Sequence, residues 1–337
     1  MTATLTPVLS RSRAAVLPAV QAAVAALDPI SREATSYHLG WTEADGTPCT
    51  HSGGKAVRPA LAMLSAELAG APSQVGVPGA VAVELVHNFS LLHDDVMDRD
   101  TQRRHRATVW SLWGEPCAIL TGDALLVLAQ QVLCDSDSPH TPHAVRLLLA
   151  ATQELVRGQV EDLAFESRAS VAVEECLRMA AGKTGALLAA SAAIGAVLAG
   201  GPPELVGALH SYGQHLGAAF QLVDDLLGIW GDPAVTGKPV LSDLRSKKKT
   251  LPVSWALAAD DAAARELATW YSGSTVNEEG LQRAAELVEQ GGGRAWAAAE
   301  AHRQMEHAEL ALTRVELPDG PREELLTLGR ALTVRNA

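Results

Sequence analysis

Aromatic residues are scarce in this chain. Phe, Tyr and Trp make up 4% of the 337 residues, and β-branched residues rarely alternate with polar ones. Both deficits argue against a sheet, because strands favour β-branched and aromatic side chains. Ala and Leu dominate instead, and they are among the strongest helix formers, so an all-α fold is expected. Cysteine is sparse too. Cys49, Cys117, Cys134 and Cys176 lie far apart with no C-x-x-C pair, which speaks against a zinc site or a disulfide framework and fits a reducing cytosol. Bulk positive charge is missing: 27 Lys and Arg against 39 Asp and Glu leave a net charge of -12. General affinity for DNA or RNA comes from basic contacts with phosphate, so a nucleic-acid binder is excluded and a small anionic ligand fits better. No signal-peptide core opens the sequence, and a cytoplasmic location is expected. Length would allow two domains, yet no linker rich in Ser, Gly or Pro divides the chain. One domain over 1–337 is therefore expected. The uncharged run Gly185–Gly201 covers 17 residues of mostly Ala, Gly and Ser. A bilayer span needs about 20 strongly apolar residues, so a buried core helix is expected there and no membrane span.

What the chain does have is helical periodicity. It predicts helices at 12–28, 56–70, 77–100, 107–134, 141–166, 172–182, 184–200, 203–230, 250–259, 261–271, 277–290, 292–315 and 320–333. Stretches rich in Gly, Pro, Asp and Ser separate them, such as 46–59, 135–143, 200–203 and 231–243. Two of the apolar helices end in acids, "SLLHDDVMD" and "FQLVDDLLG".

Asp94 and Asp98 are four residues apart and share a helix face. Like charges at that spacing cost an isolated helix a few tenths of a kcal/mol, unless a cation sits between them. Mg²⁺ suits this role, since it takes oxygen ligands and often binds through one or two carboxylates plus substrate phosphates. Asp95 points about 100° away from Asp94 and is expected to matter less. Asp224 and Asp225 follow a stretch so apolar that their helix must be largely buried, and buried carboxylates need charge to meet. Asp232, eight residues past Asp224, would fall roughly on the same face. Two such helices facing each other would make a cleft for two or three Mg²⁺ ions holding a polyphosphate. Local cations complete the pattern: Lys55 and Arg58 around a helix start, where free N–H groups also favour anions; Arg103 and Arg104 after the first acidic helix; Lys183 before another; and Lys238 and Lys247 to Lys249 beyond the second. On its own, the lysine run would read as a solvated basic turn. His93, Trp110, Trp113 and Trp230 read as packing residues.

From residue 50 to 252 the order "GGKAVRP", "ELVHNFSLLHDDVMD", "RRHRATVW", "TGDALL", "GQVED", "GKTGALL", "FQLVDDLLGIWGD", "TGKP", "SDLRSKKKTLP" closely resembles the trans-isoprenyl diphosphate synthases, the polyprenyl synthetase family. The nearest flavour is geranylgeranyl diphosphate synthase, because "DDVMD" carries no insertion. The resemblance implies an all-α, single-domain helical bundle of the isoprenoid synthase type with a central hydrophobic tunnel, Mg²⁺ dependence and a homodimer. It makes Asp94, Asp98 and Asp224 metal ligands. It assigns Lys55, Arg58, His87 and Arg104 to isopentenyl diphosphate, and Arg103, Lys183 and Lys238 to the allylic diphosphate. Thr184 and Gln221 fall near the ionising carbon, and Lys248 approaches the phosphates on closure. Bulk at the fifth position before the first Asp limits growth in this family. Phe89 occupies that position, with the small Ser90 beside it, so a C20 product is expected, with C15 as the alternative.

One position departs from the family. The second motif usually ends in a third Asp, and here Gly228 stands there. Gly in a helix interior costs roughly 1 kcal/mol against Ala, so it is not there for helix stability. Asp232, one turn further on, could take over the role, a point the sequence leaves open. The 224, 228, 232 spacing also resembles the second metal motif of class I terpene cyclases, so a cyclase of this fold is the runner-up. A non-catalytic prenyl-diphosphate-binding subunit is a third reading. The two-diphosphate set of cations disfavours the first, and intact Asp94, Asp98 and Asp224 the second.

Overall fold

The structure, a computed structural model, describes residues 2–49, 56–168, 170–232, 240–273 and 276–333. Its helices are α1 (Thr2–Val24), α2 (Pro29–His38), α3 (Val57–Leu68), α4 (Val77–Met97), α5 (Val109–Trp113), α6 (Glu115–Cys134), α7 (Thr141–Glu166), α8 (Val173–Ala180), α9 (Ala186–Leu198) and α10 (Pro203–Trp230). They continue with α11 (Ser242–Arg245), α12 (Leu251–Ala258), α13 (Ala262–Ser272), α14 (Glu278–Gln290), α15 (Gly293–Leu312) and α16 (Asp319–Thr333). A π-helical turn, Ala181–Gly185, joins α8 to α9.

The long periodic stretches fold as expected: α7 and α10 have the predicted bounds. Differences arise where a local signal overrides periodicity. The predicted helix 12–28 instead ends at Val24, and Asp28 caps the next one: its carboxylate accepts from the N–H groups of Ile30 and Ser31 at 3.0 and 3.1 Å, with Pro29 opening α2. An acidic N-cap followed by Pro is a helix start. Gly114, at φ +85°, splits the predicted 107–134 helix into α5 and α6. Between α4 and α5 lies a small antiparallel hairpin, β1 (Gln102–Arg103) with β2 (Arg106–Ala107), that periodicity does not reveal.

The chain folds into two compact units with interleaved sequence. One comprises Met1–Ala150, Ala190–His210 and Val315–Leu328; the other comprises Ala151–Ala189, Ser211–Arg314 and Gly329–Ala337. In the first unit, Leu61, Leu64, Leu85, Leu92, Leu125 and Ile194 are fully buried, and α4 packs along α3 and α6. In the second, Cys176, Leu222, Leu226, Leu227 and Leu251 form one apolar cluster, and Ile229, Leu244, Val253, Leu281 and Val288 another. All four cysteines are free.

Among the described residues, three helical stretches are long and apolar enough to cross a membrane: Ser73–Met97, Glu115–Cys134 and Val173–Leu198. The run 185–201 considered from sequence overlaps only the last of these.

Candidate active site

The last turn of α4 supplies the first acidic cluster. Asp98 caps the helix and its N–H donates to the Asp94 carbonyl at 2.8 Å, so the two carboxylates keep their one-turn spacing. Arg99 then takes φ +58° and reverses the chain. The Asp100 carbonyl holds the reversal by accepting from Thr108 Oγ1 at 2.9 Å and Trp110 Nε1 at 2.7 Å. Asp94 is half-buried and Asp98 exposed, whereas Asp95 is 1% exposed. Asp95 does not idle on the far face of the helix. Its Oδ1 accepts from Arg103 Nε at 2.7 Å and forms an ion pair with a terminal nitrogen of the same guanidinium, also at 2.7 Å. Burial raises the Asp95 carboxyl above its ordinary value, with Arg103 pulling it back.

The basic cluster after the acids divides its labour. Arg103 grips Asp95. Arg106 donates to the carbonyls of Tyr37 and Thr42 at 2.7 and 2.8 Å and lies 4.1 Å over the Tyr37 ring, so it anchors the hairpin. Arg104 and His105 form the tip, at φ +53° and +62°. Non-glycine residues in this region are strained and tend to cluster at functional sites. The others here are Ala56, Arg99, Leu241 and Lys247, each within two residues of Arg58, Asp98, Asp243 or Lys248.

Arg58, His87, Arg103 and Arg104 are close enough to act on one another. Burial first, then Arg58, Arg104 and Arg103, push the His87 imidazole well below 6.5. His38, at the end of α2, is pushed to about 3 by burial and by Arg103 and Arg104. Both rings are therefore neutral at pH 7, in a field that favours an anion. Glu84 offsets Arg58 in part, and its own carboxyl is raised by burial. Arg58 Nε and His38 Nε2 are buried, and no hydrogen-bond partner meets either among the described residues. Lys55, expected with this group, lies outside the described residues.

Phe89 is 6% exposed and meets His93 edge-on, with ring centres 4.9 Å apart. His93 Nε2 lies 3.0 Å from the Ile119 carbonyl, which makes it a packing residue as expected. Ser90 donates to the His87 carbonyl at 2.8 Å.

In the second unit the π-helical turn presents Lys183 and Thr184. Gly158 lets it approach, because a Cβ there would overlap the Lys183 backbone. π-turns interrupt a helix at a cost and recur at functional sites. Thr184 Oγ1 donates to Gln221 Oε1 at 2.6 Å, and Gln221 Nε2 donates to Asp225 Oδ1 at 2.7 Å. Asp225 Oδ2 accepts the Leu251 N–H at 2.9 Å. Burial and the neighbouring Asp243 raise the Asp225 carboxyl to about 7, while the Leu251 N–H, Lys248 and Gln221 oppose the shift. Asp225 is thus a buried strut. Asp224, one residue earlier on the same helix, is exposed.

Lys183 Nζ donates to Asp162 Oδ2 at 2.6 Å, and Lys248 Nζ lies 3.8 Å from the same oxygen. These two lysines hold Asp162 below its ordinary value despite its burial. Asp162 closes the "GQVED" stretch, where its position along the chain carries no signal of this pairing. The lysine run separates by function. Lys247 donates to the carbonyls of Trp270 and Tyr271 at 3.2 and 3.3 Å at the end of α13, and Lys249 to the Phe165 carbonyl at 3.0 Å at the end of α7. Only Lys248 turns to the acids. Lys248→Ala is therefore expected to lower turnover with little change in melting temperature. Lys247→Ala should lower the melting temperature, on the order of 1 kcal/mol for lost helix-end hydrogen bonds, and spare turnover; thermal scans paired with rates distinguish the two. Lys238 lies outside the described residues.

Asp232 does not stand where its spacing suggested. Helix α10 ends at Trp230, and Asp232 lies two residues beyond it, exposed. The 224, 228, 232 periodicity therefore has no helix to act through.

Among the described residues no group of three His, Cys, Asp or Glu side chains could hold a metal alone. Mg²⁺ needs no such cage, since it binds through one or two carboxylates with water and phosphate oxygens. The acids at these helix ends are all-oxygen donors with solvent-reaching members, which fits that ion.

An all-α chain with two aspartate-rich helix ends, each accompanied by buried or half-buried cations, has the form of a prenyltransferase. The polyprenyl synthetase family matches residues 42–288, and the chain belongs to that family, with its isoprenoid synthase fold. It is 53% identical to the (2E,6E)-farnesyl diphosphate synthase of Mycobacterium bovis, over 100% of this chain and 95% of the relative. It is 45% identical to the geranylgeranyl diphosphate synthase of Mycobacterium tuberculosis, over 85% of this chain and 82% of the relative. A polyprenyl synthetase from Streptomyces coelicolor superposes with a TM-score of 0.94 at 50% identity, covering 98% of this chain and 100% of that one.

Proposed function

We propose that the protein elongates an allylic diphosphate with isopentenyl diphosphate, head to tail, and that the product is geranylgeranyl diphosphate. The observation that carries the elongation reading is the cluster of Arg58, Arg103 and Arg104 around the neutral His87, with Arg103 repelling Arg104, a concentration of positive charge that a second diphosphate would balance. A cyclase needs only one diphosphate. Arg58, His87 and Arg104, with Lys55, take isopentenyl diphosphate. Arg103, Lys183 and Lys238 take the allylic diphosphate, and Lys248 joins them on closure. Asp94, Asp98 and Asp224 would hold two or three Mg²⁺ ions, which when bound supply charge neutralisation for the leaving diphosphate.

The chain's own residues set up the rest. Cationic side chains placed where charge develops stabilise departure of the diphosphate. The Thr184 hydroxyl, oriented by Gln221 and Asp225, offers an oxygen to the allylic cation. Fixing the isopentenyl double bond close to that carbon makes the attack effectively unimolecular. The final proton passes to the released diphosphate.

Product length rests on Phe89 and Ser90. Each helical turn descends about 5.4 Å, comparable to one isoprene unit, and Phe89 and Ser90 lie about one turn before Asp94. One bulky and one small side chain give an intermediate limit, hence C20. The farnesyl-forming relative at 53% identity favours C15 as the second reading. Phe89→Ala is expected to lengthen products by one isoprene unit or more, and Ser90→Phe to shorten them, as seen by chromatography after dephosphorylation. Unchanged length in both variants would remove Phe89 from the floor of the product channel.

We also propose a homodimer and no membrane span. Most of the strongly apolar window in Ser73–Met97 and in Val173–Leu198 is buried within the chain, 61% and 72% of it, and these stretches carry Asp94, Asp95 and Lys183. Glu115–Cys134 is 39% buried and exposes Ile119, Leu120 and Val127 on one face of α6, a surface suited to a second copy. Light scattering should give twice the chain mass, falling to the chain mass in Leu120→Glu/Val127→Glu. A monomeric wild type would refute the assignment.

A further inference from the structure

Gly122 leaves a space on α6, and the His93 ring fills it. A Cβ built on Gly122 would overlap Nε2 and Cδ2 of that ring. His93 Nε2 donates to the Ile119 carbonyl at 3.0 Å, and Asp123 Oδ1 lies 3.7 Å from the same nitrogen. Ile119 and Gly122 are three residues apart on α6 and share a face. One helix thus supplies both the gap and the acceptor that hold the ring. Gly weakens a helix interior relative to Ala, and the close approach of the ring accounts for it here.

The held ring then meets Phe89 edge-on, with ring centres 4.9 Å apart and planes at 70°. Phe89 is four residues before His93 on α4. A helical side chain covers the turn N-terminal to its own Cα, so His93 lies over Phe89. The Phe89 side chain has no polar atom to tie it down, so packing alone selects its rotamer. Phe89 is 6% exposed, and the His93 ring is one of the surfaces that keep it in place.

We propose that His93 and Gly122 set product length by positioning Phe89. The proposal rests on the reading of Phe89 as the floor of the product channel. Helix α6 fixes His93, His93 fixes the Phe89 ring, and that ring stops the growing chain. Without the His93 ring, Phe89 turns into the vacated space and the chain grows further. The bulk of the limit stands on α4 and its support on α6, so position 122 changes the product through Phe89 alone.

The test uses the full chain with Mg²⁺, isopentenyl diphosphate and geranyl diphosphate. Products are dephosphorylated and separated by chromatography, and melting temperature is recorded for every variant. His93→Ala is expected to lengthen the main product by one isoprene unit or more. Gly122→Ala should lengthen it too, because its Cβ evicts the ring that holds Phe89. Residues that act through one another are not additive. Gly122→Ala/His93→Ala should therefore match His93→Ala, and Phe89→Ala/His93→Ala should give products no longer than Phe89→Ala. If Gly122→Ala does not fold, the His93 variants decide alone. Wild-type length in His93→Ala, or longer products in Phe89→Ala/His93→Ala than in Phe89→Ala, would overturn the positioning role. Phe89→Ala separates the two levels: if it keeps the wild-type length, the channel-floor reading fails, and the positioning with it. If Phe89→Ala lengthens products and His93→Ala does not, the positioning alone fails.

Discussion

Asp94→Ala and Asp224→Ala are each expected to cut turnover by a factor of about a thousand or more while the protein stays folded. Losing a carboxylate that grips a metal-bound diphosphate removes several kcal/mol of transition-state stabilisation, and each 1.36 kcal/mol is tenfold in rate. Folding should survive because Asp224 is exposed and Asp94 half-buried. Removing Asp94 also relieves repulsion with Asp98 across one turn. Steady-state rates and thermal scans on the same preparations check both halves. Near-wild-type rates in Asp94→Ala would sink the metal assignment, whereas a folded but inactive protein supports it.

Asp95→Ala should be almost as damaging, by a different route. Asp95 is buried, takes a hydrogen bond from Arg103 Nε and pairs with the same guanidinium through a terminal nitrogen. Breaking a buried pair by removing one partner typically costs about 3–5 kcal/mol, because the other charge is left uncompensated. Arg103 is itself 28% exposed along its side chain, so the lower end of that range is expected here. The loss should show as a lower melting temperature and a raised KM for the allylic diphosphate. Asp95→Ala/Arg103→Ala should recover part of the stability but none of the affinity. If Asp95→Ala melts and turns over as the wild type does, Asp95 does not position Arg103.

Much of this is legible in the sequence, and the misses share a cause. Long amphipathic helices such as α7 and α10 announce themselves because apolar spacing repeats over many turns. Motif order singles out Arg58, His87, Arg103 and Arg104, and Thr184 and Gln221, and the structure brings the members of each set together. Asp95 and Asp225 are underrated because position on a helical wheel does not reveal a partner that arrives from another element. Asp162 and Asp243 escape notice for the same reason: Lys183 reaches the first from a π-helical turn, and the second reaches Gly228 from α11. Asp232 is overrated because its periodicity assumes two more residues of helix than α10 has. The hairpin tip at Arg104 and His105 needs two residues at positive φ without a glycine, a geometry for which the sequence carries no ordinary turn signal.

Chain elongation is tested most directly by incubating the protein with Mg²⁺, isopentenyl diphosphate and each allylic starter, then analysing products with and without phosphatase. The expected result is a linear prenyl diphosphate of C20, or C15 on the second reading, formed only with Mg²⁺ and released as an alcohol only by the phosphatase. A cyclic hydrocarbon formed from geranylgeranyl diphosphate alone, with no incorporation of isopentenyl diphosphate, would contradict it.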